Sequence, residues 1–126
     1  MAVRLPPPPK TLSISEFTLW FESLWRRVSG NIVVTGDAVA TIGSGETYHG
    51  VTALTAGRTL TLPSASDLQD GDSIVIQDES GSAGTYAITI QRAGTDTING
   101  GASVTISSNY GRKTIIKRGT GKFYSA

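Results

Sequence analysis

From residue 58 onward, apolar and polar residues alternate in short runs. Leu60 and Leu62 fall on one face with Thr59 and Thr61 on the other, and the same two-residue period separates Ile74 and Ile76, Ile88 and Ile90, and Val104 and Ile106 from their neighbours. The strand signals are "YHGVTALT", "RTLTLP", "DSIVIQD", "YAITIQRA", "ASVTISS", "RKTIIKR" and "KFYSA". Between them stand turn signals at Ala56-Gly57, Asp70-Gly71, Gly81 to Gly84, Asn99-Gly100-Gly101 and Gly119-Thr120-Gly121. Pro63 closes its strand, since it has no N–H to give a ladder. Strands that recur about every ten residues predict a small antiparallel β-sandwich or barrel over residues 31–126. Its start is less clear, with Val33, Val34, Val39 and Ile42 set among Gly36, Gly43, Gly45 and Gly50.

The first thirty residues follow a different period. Ser13 and Glu16 have capping-box spacing, and Ile14, Phe17, Trp20, Phe21, Leu24 and Val28 form one helical stripe before Gly30. This predicts an amphipathic helix over residues 13–30. Leu19 and Trp25 lie off the stripe, so the helix is apolar on more than one side and expects cover on more than one side. Ahead of it, Pro6, Pro7, Pro8 and Pro9 favour a polyproline II rod, which makes residues 1–12 a stiff extended arm. Four of the nine aromatic residues stand between Phe17 and Trp25, and Phe17, Trp20, Phe21, Leu24 and Trp25 are therefore, with the four prolines, the candidate anchor or trimer contacts.

Composition supports this division. At 126 residues the chain holds one small domain and an extension, and its 15 glycines suit turn-rich β structure. A net charge of +1 gives no overall field for nucleic acid or an anionic surface. Charge segregates locally: Asp67, Asp70, Asp72, Asp78 and Glu79 form an acidic stretch, and Arg112, Lys113, Lys117, Arg118 and Lys122 a basic one, which reads either as solvated strand and turn faces or as pairing across strands or subunits. With no cysteine there are neither disulfides nor thiolate metal sites, and the single His49 would need carboxylate help to hold a metal. The start "MAVRLPPPPK" lacks the apolar run of a signal peptide, and no stretch has the apolar length of a membrane span. The expectation is a protein made in a cytoplasm, with no cofactor.

No catalytic motif stands out. The nucleophile elbow, the phosphate-binding loop and the zinc-helix pattern are all missing. A glycosidase would need two carboxylates across a cleft, for which Asp72, Asp78, Glu79 and Asp96 are the available acids, but the chain is short for a deep cleft. The expectation is that it is not an enzyme. Tyr48, Tyr86 and Tyr110 are the candidate ligand-facing residues, able to stack on a sugar.

The order of these motifs resembles a β-module of tailed-bacteriophage fibre and spike proteins. The "TLTLP" strand at Thr59 to Pro63 is followed by Asp70-Gly71, "IVIQDESG" from Ile74 to Gly81, "ITI" from Ile88 to Ile90, "DTING" from Asp96 to Gly100, and two final strands from Arg112 to Tyr124. Relatives end with a tryptophan where this chain has Phe123. The resemblance spans residues 37–126 and implies a parallel homotrimer on a virion, with no catalytic residues. The chain is thus expected to be a virion structural protein, a short homotrimeric head or tail fibre or spike that docks through residues 1–30 on other tail or capsid proteins. A glycan-binding tip for host attachment and a capsid decoration protein are the alternatives.

Overall fold

The computed structural model describes residues 31–126. The predicted arm over 1–12 and helix over 13–30, with all nine candidate contacts from Pro6 to Trp25, lie outside the described residues.

Ten strands follow in chain order: β1 (Ile32–Thr35), β2 (Ala40–Thr41), β3 (Tyr48–Val51), β4 (Arg58–Thr61), β5 (Ser73–Asp78), β6 (Ile88–Gln91), β7 (Thr97–Ile98), β8 (Ser103–Ile106), β9 (Arg112–Lys117) and β10 (Lys122–Ser125). Each strand foreseen from alternation is present. One 3₁₀ turn, Ala65–Asp67, follows Pro63. The strands form two sheets, one of six in the order β1-β3-β5-β9-β10-β7 and one of four in the order β2-β4-β6-β8.

The fold is mainly β, but the sheets are mixed, which corrects the expected antiparallel arrangement. β1, β3 and β5 run parallel, as do β2, β4 and β6. The chain passes from one sheet to the other and back, so each strand pairs with the next but one, as in a coil of stacked rungs. Antiparallel pairing begins only where β8 joins β6, β9 joins β5 and β10 joins β9. Short strands at even spacing have the same sequence rhythm in either arrangement, because period-two alternation reports which face is buried and says nothing of strand direction.

The facing sides of the sheets form the core. Leu60, Leu62, Ile76, Ile88, Ile90, Ile98, Ile115 and Phe123 are all buried there, so Phe123 is a core residue. Fixed register defines the outer faces. On the four-stranded sheet, one row reads Thr41, Thr61, Gln91, Ser103 and the other Thr59, Thr89, Thr105. On the six-stranded sheet, Ile32 stands beside Tyr48 and Val75, while Ser73, Ile116 and Tyr124 form the adjoining row. One outer face is therefore all hydroxyl and amide, while the other sets Ile32, Val34, Tyr48, Val75, Ile116 and Tyr124 among the polar Ser73, Gln77, Arg112 and Thr114.

Candidate functional site

The sequence stretch "DESGSAG" builds the most highly connected polar site. Asp78 ends β5 on the core side and is completely buried. Its Oδ1 accepts the backbone N–H groups of Ser80 at 3.1 Å and Gly81 at 3.2 Å and the Ser80 hydroxyl at 2.5 Å. Its Oδ2 accepts the N–H groups of Ala83 and Tyr110, each at 3.0 Å. Burial pushes the Asp78 carboxyl up, but the Ser80 hydroxyl and these N–H groups together outweigh it and hold it below the usual carboxylate range. The residue fastens loop 79–86 and the β8–β9 turn to one point.

All three candidate tyrosines attach to this loop. Tyr48, on the outer face of β3, donates its hydroxyl to Glu79 Oε2 at 2.8 Å. The Glu79 carboxylate lies over Gly50, where an added Cβ would stand 1.6 Å from its Oε2. Partial burial and then the Glu79 hydrogen bond push the Tyr48 phenol up, against the field of Arg112. Tyr110 adopts a left-handed φ of 56°, a region shared only with Asn99 among the described non-glycine residues, and its ring lies against Gly81, within 2.7 Å of an added Cβ there. Its carbonyl accepts the Gln77 side-chain amide at 2.7 Å. Tyr86 closes the loop by donating its N–H to the Ser82 carbonyl at 2.8 Å. Tyr110 and Tyr86 keep exposed ring surface.

The other candidate acids serve the backbone as well. Asp72 accepts the Gln69 N–H and Asp96 the Ala65 N–H, each at 2.8 Å. These carboxylates stand at separate turns. Of the expected pairing between the acidic and basic stretches, the structure contains the Lys117–Asp70 bridge at 2.8 Å, in which Asp70 also accepts the Gly119 N–H.

His49 is buried on β3 with both ring nitrogens engaged. Nδ1 meets Glu46 Oε1 at 2.6 Å and Nε2 meets Thr35 Oγ1 at 2.7 Å. A carboxylate, an imidazole and a hydroxyl are thus linked in series, and because the hydroxyl belongs to β1 the series clamps that strand to β3. A second clamp lies one connection further on. Asp37 accepts Arg58 Nε at 2.8 Å and the Thr55 N–H at 3.1 Å, and also the Thr55 hydroxyl. The Arg58 guanidinium, then Thr55, hold its carboxyl well below the usual range. No group of three metal-ligating side chains occurs among the described residues.

Sequence reasoning singled out the tyrosines and Asp78 but not Gln77, which binds the Tyr110 carbonyl, nor Thr35 and Asp37. Of these contacts, Glu46 with His49 is local in sequence and could have been found from its three-residue spacing. The others join residues 14 to 33 positions apart, for which one sequence carries no signal.

No protein-family model and no curated protein matches this chain.

Proposed function

We propose that this chain is a structural protein of a tailed-bacteriophage particle, a short homotrimeric fibre or spike whose N-terminal segment joins the tail or head while the β domain faces outward. One observation carries the reading: of the four acids available for chemistry, Asp72, Asp78 and Asp96 are engaged by backbone N–H groups at separate turns and Glu79 by the Tyr48 hydroxyl. Carboxylates that fasten the backbone in this way suit a rigid module better than a reaction centre. The sequence resemblance to fibre and spike modules supports the particle assignment, and residues 1–30 are the part left to dock. In particles grown with a chain lacking residues 1–30, the truncated protein is expected to be absent from purified virions while its β domain stays folded. Normal incorporation refutes the docking role. Copy number per particle separates a fibre, present in few copies, from a decoration protein present in many.

A receptor-binding tip is favoured by Tyr110, which is 65% exposed and held in a left-handed conformation by Asp78. Backbone strain of this kind concentrates at binding sites. Binding of the assembled protein to a glycan array, lost in Tyr110→Ala, is the expected result under that reading, and an array without signal removes it.

A further inference from the structure

The two outer faces of the β domain differ in a way that the fold itself does not require. Seven outward positions of the four-stranded sheet carry only Thr, Ser or Gln. On the six-stranded sheet Ile32, Tyr48 and Val75 share one row and Ile116 and Tyr124 the next, with Val34 beside Ile32 and with Thr114 and Ser73 completing the two rows. Ile32 is 73% exposed and Val34 57%. Both belong to β1, which among the described strands pairs on one side only, and β1 itself carries no charged residue or proline of the kind that blunts an edge.

Resting on the homotrimeric reading above, we propose that this outer face of the six-stranded sheet is the surface through which copies of the chain pack against one another. The face carries charge of both signs. Glu79, laid over Gly50, and Arg112, in register with Gln77 in the same row, supply one acid and one base at one end of the face, and Lys122 stands at the opposite corner. A second copy can therefore meet the apolar positions with apolar surface and the polar end with opposite charge. The size also fits. Five strands spaced about 4.8 Å apart and about 15 Å long give a plane of roughly 350 Å². That plane, its polar positions included, is about half of what one partner gives to a standard interface. A face of this size suits packing about a threefold axis, where each subunit meets two others and no single contact needs to be of standard area.

The chain has no cysteine, so a single introduced thiol reports its own surroundings. Thr114→Cys places one in the row of Tyr48 and Val75, and Thr89→Cys places one on the opposite sheet. In the full chain, maleimide labelling at position 114 is expected to be at least about tenfold slower than at position 89, because an interface core excludes water. Ile116→Lys with Tyr124→Lys is expected to reduce the light-scattering mass to that of a monomer with the circular dichroism spectrum kept, while Thr89→Lys with Thr105→Lys leaves the mass unchanged. A wild-type chain that is monomeric refutes the homotrimeric reading itself. A trimer labelled equally fast at both positions, or one that survives the double substitution of Ile116 and Tyr124, leaves that reading standing and overturns this interface. Slow labelling at position 114 in a species of monomer mass means that the face is covered within one chain, and overturns it too.

Discussion

Asp78 sets four backbone N–H groups and one hydroxyl against a single buried carboxylate. Removing it leaves several buried donors without acceptors, each costing on the order of 1–3 kcal/mol. Asp78→Ala is therefore expected to lower stability by about 3–5 kcal/mol in chemical denaturation. The same residue gives the fold an acid limit. The Asp78, Asp37 and Asp70 carboxyls are all held low in the folded protein, by hydrogen bonds in each case and by Arg58 and Lys117 in the latter two. A carboxyl lowered by folding contributes stability above its unfolded value near 4 and loses it as pH falls through the folded value. The melting temperature should hold between pH 5 and pH 7 and fall steadily below about pH 4. Tyr48 acts at the other end: its phenol is raised, so its contribution is present below its ordinary value near 10 and disappears as pH rises through the folded value.

At the scale of elements, the first rung is held by side chains more than by length. β1 has four residues and β2 two, and short edge strands hold weakly by themselves. The His49 clamp to Thr35 and the Asp37 clamp to Arg58 and Thr55 supply the missing fixation. Thr35→Val takes the partner from a buried ring nitrogen and is expected to cost about 1–2 kcal/mol, with amide exchange in β1 accelerated before that of β5. The turn after β7 is fixed instead by backbone conformation. Asn99 and Gly100 both have positive φ, and Ile98 and Gly101 exchange hydrogen bonds across them, as in a type I′ turn. The φ of 80° at Gly100 is one that a side chain would strain.

For the whole molecule, the rungs make most pairings distant in sequence. β3 pairs with β5 and β4 with β6 across a complete passage through the other sheet, and β5 must wait for β9. Contacts of that kind fold slowly, so refolding of the β domain is expected on the scale of roughly milliseconds to seconds rather than microseconds, as stopped-flow mixing can measure. Phe123 joins the last strand to the core at 2% exposure. Phe123→Ala is expected to cost about 3–5 kcal/mol in denaturant titration, through the cavity left behind.

The local rules of the chain were legible in its letters. The strand signals located each of the seven strands they marked, from Tyr48 to the last strand, and alternation assigned Leu60, Ile76, Ile90 and Ile106 to the buried side, because burial of one face requires period two. Asn99-Gly100 announced its turn for the equally local reason that few residues accept positive φ. Strand direction was not legible, and the parallel coil replaced the antiparallel reading because a turn signal says that the chain bends but not to which sheet it returns. For the same reason β2 and β7, two residues each, escaped notice. Tyr48, Tyr86 and Tyr110 stood out by residue type alone, but only the tertiary structure gathered them on loop 79–86, through Asp78, Glu79 and Gly81. It also decided that Ile32, Val75, Ile116 and Tyr124 share one outer face, since that depends on which strands are neighbours, a property of the assembled sheet and of no single segment.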